Sequence, residues 1–109
     1  MSHRKLTPAL LGLVAERLKV LADPARLNIL SAMRSGERTV SDIVEATGLG
    51  QTNVSKHLQL LHAQGFVSRR KDGLYSYYSI ADRIVFRVCE LMCDSLNENA
   101  AARRRAVAS

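Results

Sequence analysis

Two cysteines, Cys89 and Cys93, stand four residues apart in RVCELMCDSL and are the only thiols of the chain. At ~100° per residue the second lies about 40° round a helix from the first, and Val85, Phe86, Met92 and Leu96 complete the same apolar stripe. A disulfide inside one helix is disfavoured, because side chains four apart hold their Cβ atoms ~5–6 Å apart whereas a bridge needs ~3.5–4.5 Å. Three readings stay open. The pair is packing in an apolar seam, or it reacts with oxidants or sulfur species, or it supplies soft ligands to zinc, another soft metal or a metalloid, completed by a second chain or an outside ligand.

A second constellation opens QTNVSKHLQLLHAQG. Val54, Leu58 and Leu61 repeat at four and three, which turns them to a core and leaves Gln51, Thr52, Asn53, Ser55 and Lys56 on the exposed start of a helix. Gln and Asn match the donor and acceptor of adenine in the major groove, Ser and Thr reach bases or phosphates, and the free N–H groups of a helix start favour a phosphate. The competing reading is a merely solvated polar face. His57 and His62 are five apart and share no face well, so His57 is assigned to a phosphate or an internal hydrogen bond, and His3 to a disordered start. Further on, Arg69, Arg70 and Lys71 cluster beside an Asp-Gly turn, where a hairpin tip would lie against phosphates or in the minor groove. No nucleophile, base and orienting group can be assembled from the spacing, so an enzyme is not expected.

The elements that must position these residues follow from caps and periodicity. Residues 7–20 read as a first helix, with Thr7 as cap, Pro8 in first position and Leu10, Leu13, Val14 and Leu18 at helical spacing. Asp23 and Pro24 start a second, whose Leu27, Ile29, Leu30 and Met33 face inward before Gly36 stops it. Thr39 and Asp42 form a capping box for a short third helix that ends at Gly48. The fourth helix runs to Gly65, after which FVSRR and LYSYYSI are β-prone runs joined by KDG, a hairpin signal. From about Ala81 the pattern is helical again, with a basic tail over residues 100–109 expected to fray. The fold class is mainly α with a β-hairpin wing: a helix-turn-helix followed by a basic hairpin, a single winged-helix domain over residues 1–109 with its ordered core at about 7–99.

The charge distribution suits a polyanionic partner. Of the net +6, residues 1–20, residues 51–79 and the ARRRA tail each carry +3, while residues 21–50 and 80–102 are slightly acidic. No apolar run approaches the ~18 residues that span a membrane, and no secretory signal opens the chain, so no membrane partner and a cytoplasmic location are expected.

LADPARLNILSAM, TVSDIVEATGLGQTNVSKHLQLLHAQGFV and RRKDGLYSYYSI together resemble the ArsR/SmtB family of winged-helix transcriptional repressors over roughly residues 13–99. The resemblance implies a homodimer through the first and last helices, binding of double-stranded DNA at an imperfect inverted repeat, and repression relieved by an inducer. Many members carry a Cys-x-Cys pair at the start of the third helix; here those positions are Thr39 and Ser41. Others bind zinc through Asp and His ligands on the last helices, and this last helix has no histidine. Cys89 and Cys93 remain as the inducer-sensing candidates. The expected function is sequence-specific transcriptional regulation. The alternative is a winged-helix interaction or dimerisation module; a chain ending at Ser109 without a Gly-rich nucleotide loop is expected to have no catalytic half for such a module to serve.

Overall fold

The computed structural model describes residues 4–108, so His3 lies outside the described residues. The element order is α1 (Pro8–Leu21), α2 (Pro24–Ala32), β1 (Arg38–Thr39), α3 (Val40–Thr47), α4 (Gln51–Ala63), β2 (Val67–Asp72), β3 (Tyr75–Ile80) and α5 (Ile84–Ala108).

The capping residues act as their types predict. Thr7 Oγ1 accepts from the Leu10 N–H at 3.2 Å with Pro8 behind it, and Asp23 Oδ1 accepts from the Arg26 N–H at 3.1 Å with Pro24 in first position. In α3 the box is reciprocal: Asp42 N–H donates to Thr39 Oγ1 at 3.1 Å, and Thr39 N–H donates to Asp42 Oδ2 at 3.0 Å. Gly48, at φ 75°, then turns the chain out of the helix, a conformation that side chains with a Cβ rarely adopt.

Three local features differ from the pattern-based reading. α2 closes at Ala32, well before Gly36, because the Met33 and Arg34 N–H groups bond to Leu30 and Ser31 three residues back and tighten the last turn while Met33 enters the core. The hairpin turn falls on Gly73 and Leu74, one residue later than Asp-Gly suggests: Asp72 pairs with Tyr75, and Gly73 at φ 61° takes the position that a two-residue loop reserves for glycine. The tail expected to fray beyond Ala100 is helical through Ala108. Its Ala and Arg residues are the strongest helix formers, and the arginines sit where the helix dipole favours positive charge.

The three strands form one antiparallel sheet in the order β1-β3-β2, with Thr39 and Arg70 both opposite Tyr77, and Arg38 and Arg69 both opposite Tyr78. Beneath it, Ile29, Leu30, Met33, Ile43, Val54, Leu58, Leu61, Phe66 and Val85 are buried to within 1%. α1 contributes only Val20 and Leu21 to this core; its Leu13, Val14 and Leu18 stay exposed, as do Leu91, Met92 and Leu96 of α5. Among the described residues no helix is long and apolar enough to cross a membrane.

Candidate nucleic-acid interface

α4 is anchored by Val54, Leu58 and Leu61, all at zero exposure, and this fixes which residues point away from the core. Gln51, Thr52, Asn53 and Lys56 are exposed, and Ser55 is half-buried at the margin. Gly50 caps the helix without a side chain, and the first helical backbone bond comes from Val54 N–H to Gly50 O at 3.0 Å, so no side chain caps the amides of Gln51, Thr52 and Asn53. Such a start offers N–H donors and the positive end of a dipole to an anion. Gln59 is also exposed, seven residues after Thr52 and three after Lys56, hence on the same outward row. The sequence reading passed over it, although the same spacing that placed Lys56 would have found it.

His57 turns the other way. It is half-buried, and Arg26 Nη1 lies 3.4 Å from its Nδ1. A guanidinium only donates, so Nδ1 is the acceptor in this contact. Arg26 also donates to the Val20 carbonyl and sits 3.8 Å from Asp23, which ties α4 to the α1–α2 corner. Of the two roles assigned to His57, the geometry provides the internal hydrogen bond. His62, in the last turn of α4, is exposed.

The wing separates its three basic residues. Side chains alternate along a strand, so Arg69 and Lys71 share the face of buried Val67, and Arg70 shares the opposite face with Ser68 and Asp72. Arg69 and Lys71 are exposed and form no ion pair among the described residues. Arg70 instead donates from Nε and Nη2 to both carboxylate oxygens of Glu37, each at 3.1 Å. This hydrogen bond holds the Glu37 carboxyl below the usual carboxylate range and raises Arg70 further, although desolvation opposes both. Nothing in the local pattern marks Glu37, which lies in the loop before β1. At the wing tip Leu74 is fully exposed.

The two thiols part company. Cys89 is half-buried in an apolar groove of about 270 Å³ lined by Leu18, Leu21, Ala22, Leu27, Val85, Val88 and Met92, while Cys93, one turn on, is exposed. Among the described residues no three His, Cys, Asp or Glu side chains come together to hold a metal ion. A tetrahedral zinc site needs four ligands, so the described donors of one chain do not complete it.

Comparison with known proteins returns a consistent group. The family model described as bacterial regulatory protein, arsR family, matches residues 23–69. The probable mercury resistance operon repressor of Streptomyces lividans is 41% identical over 88 residues, covering 81% of this chain and 70% of that protein. The HTH-type transcriptional regulator Rv0324 of Mycobacterium tuberculosis is 43% identical over 84 residues, or 77% of this chain, and the match spans only 37% of that protein's length. Among solved structures, a homodimeric winged helix-turn-helix DNA-binding domain from Mycobacterium bovis superposes with a TM-score of 0.70 at 38% identity, covering 90% of this chain and 92% of that one.

Proposed function

The chain belongs to the bacterial arsR family of regulatory proteins, DNA-binding transcriptional regulators and not enzymes, and on that premise we propose that it is a homodimeric, sequence-specific repressor. In this reading Gln51, Thr52, Asn53, Ser55 and Lys56 enter the major groove, with Gln59 at the far end of the row. Arg69 and Lys71 of the wing meet phosphates. The observation that carries the reading is the outward polar row of α4, fixed by three fully buried side chains and preceded by a helix start without a side-chain cap. A two-fold dimer through α1 and α5 sets two such helices about 34 Å apart, one duplex turn, which suits an imperfect inverted repeat in cytoplasmic DNA.

An inducer that shifts the dimer would act where α1 meets α5. Cys89 and Cys93 are the sensing candidates there, toward oxidants, sulfur species, a soft metal or a metalloid. The groove that half-covers Cys89 lies between those two helices and α2, so a change at the thiol reaches the elements that set dimer geometry.

A salt series on the protein's own upstream DNA, read by fluorescence anisotropy, tests the DNA reading: binding that weakens linearly in log salt, and weakens again in Lys56→Ala, supports it, while salt-independent binding or none removes it. Repeating the titration with reduced, oxidised and metal-loaded protein, beside a Cys89→Ser, Cys93→Ser double variant, tests the thiols. An identical response in the variant returns both to packing.

A further inference from the structure

Arg70 is held from three directions. Its fork on Glu37 uses two parallel N–H donors at 3.1 Å, Asp72 Oδ2 stands 3.6 Å from Nη1, and the guanidinium lies 4.6 Å from the centroid of the Tyr77 ring. Glu37 precedes β1, Tyr77 lies on β3 and Arg70 on β2, and Tyr77 faces Thr39 on one side and Arg70 on the other. The pair therefore clasps both edges of the three-stranded sheet along one row. Side chains that remain 52% and 42% exposed add little net stability, since water competes for them. What a bidentate fork does supply is direction. The same geometry makes Arg70 a poor phosphate ligand: one cation shared by two carboxylates presents a net negative cluster to an approaching phosphate.

We infer that Arg70 is a positioning residue of the wing and not a phosphate contact: with Glu37 it fixes β2 against β1, so that Arg69 and Lys71 on the other face of the strand meet the duplex. This rests on the DNA-binding reading above. When the clasp is absent, ordering the wing falls on DNA binding itself, so affinity drops while the number of phosphates neutralised stays the same.

The test is a salt series of anisotropy titrations on the protein's own upstream duplex, with melting curves confirming that each variant is folded. Arg70→Ala weakens binding roughly two- to fivefold at an unchanged slope of log affinity against log salt. Arg70→Lys behaves the same way, because it keeps the charge but not the fork. Lys71→Ala flattens the slope by about 0.9. Arg70→Glu alone binds weakly, and the charge swap Glu37→Arg with Arg70→Glu, which preserves net charge, returns affinity to within about twofold of the parent. A flattened slope in Arg70→Ala, parental binding by Arg70→Lys, or a swap as weak as Arg70→Glu overturns the inference while leaving the DNA reading intact. Salt-independent binding by the parent protein overturns both.

Discussion

The outward face of α4 and the outward faces of α1 and α5 are alike in being uncovered in a single chain, and opposite in what covers them well. α4 shows Thr52, Asn53, Lys56 and Gln59, side chains that water solvates at no penalty. α1 and α5 show Leu13, Leu18, Leu91, Met92 and Leu96, each about half to two-thirds exposed. Fully burying such a side chain contributes ~1.5–3 kcal/mol, so these apolar faces gain from being covered by a second copy, and exposed large apolar side chains in this number mark an interaction surface. A polar, cationic face gains by releasing condensed ions, so its binding follows salt and reverses readily. In the proposed function one region holds, and the other binds and lets go. They meet at Arg17 of α1, which stacks 4.3 Å from the Phe66 ring behind α4 and pairs at 3.1 Å with Asp82, whose Oδ1 accepts from the first N–H of α5.

The contrast is broken most severely at the apolar face. Leu18→Glu combined with Met92→Glu should leave the winged-helix core folded, since neither residue is buried in it, and should yield monomers in sedimentation at micromolar concentration. Loss of the second half-site contact then lowers affinity for the full operator by about 10²–10⁴. A dimer that survives both substitutions would mean that other surfaces join the chains. Next in size is Asn53→Ala on α4. If Asn53 reads a base, affinity for the preferred sequence falls by ~1–3 kcal/mol while binding to unrelated DNA is unchanged, which a competition titration resolves. Lys56→Ala should do the converse, weakening every duplex alike and reducing the salt slope by about 0.9. Equal effects of the two variants on cognate and random DNA would erase the division between reading and clamping within the α4 row.

How much of this was visible beforehand differs between the regions for physical reasons. Caps and terminators are local, so Thr7, Asp23, Thr39 and Gly48 announced α1, α2 and α3 from adjacent residues. The α4 row is equally legible, because Val54, Leu58 and Leu61 define a core face and leave the remainder, Gln59 included, outside. β1 is two residues long and exists because the edge of β3 offers it partners, so no pattern within Arg38 and Thr39 could reveal it. The pairing of Arg70 with Glu37 spans 33 positions, so nothing adjacent to RRK marks it. The length of α5 is hidden because a basic tail resembles a frayed end, whereas its Ala and Arg residues favour the helix through Ala108.

The smallest expected effect separates the two regions by pH. The Asp42 carboxyl is lowered from its ordinary value of 3.8, first by the hydrogen bond from the Thr39 backbone N–H and then by the Thr39 side chain, with desolvation opposing. A carboxyl whose folded pKa is depressed contributes stability that is present above 3.8 and is lost as pH falls through the lowered folded value. Asp42→Ala should therefore be less stable than the parent by a constant amount from pH 7 down to about 5, and that gap should narrow below 3.8 as the parent's carboxyl takes up its proton. Urea unfolding at a series of pH values measures this directly, and a gap that stays constant into acid would show that the capping box works through shape and not through charge. Because α3 packs against α4, the narrowing belongs to the α4 side of the molecule.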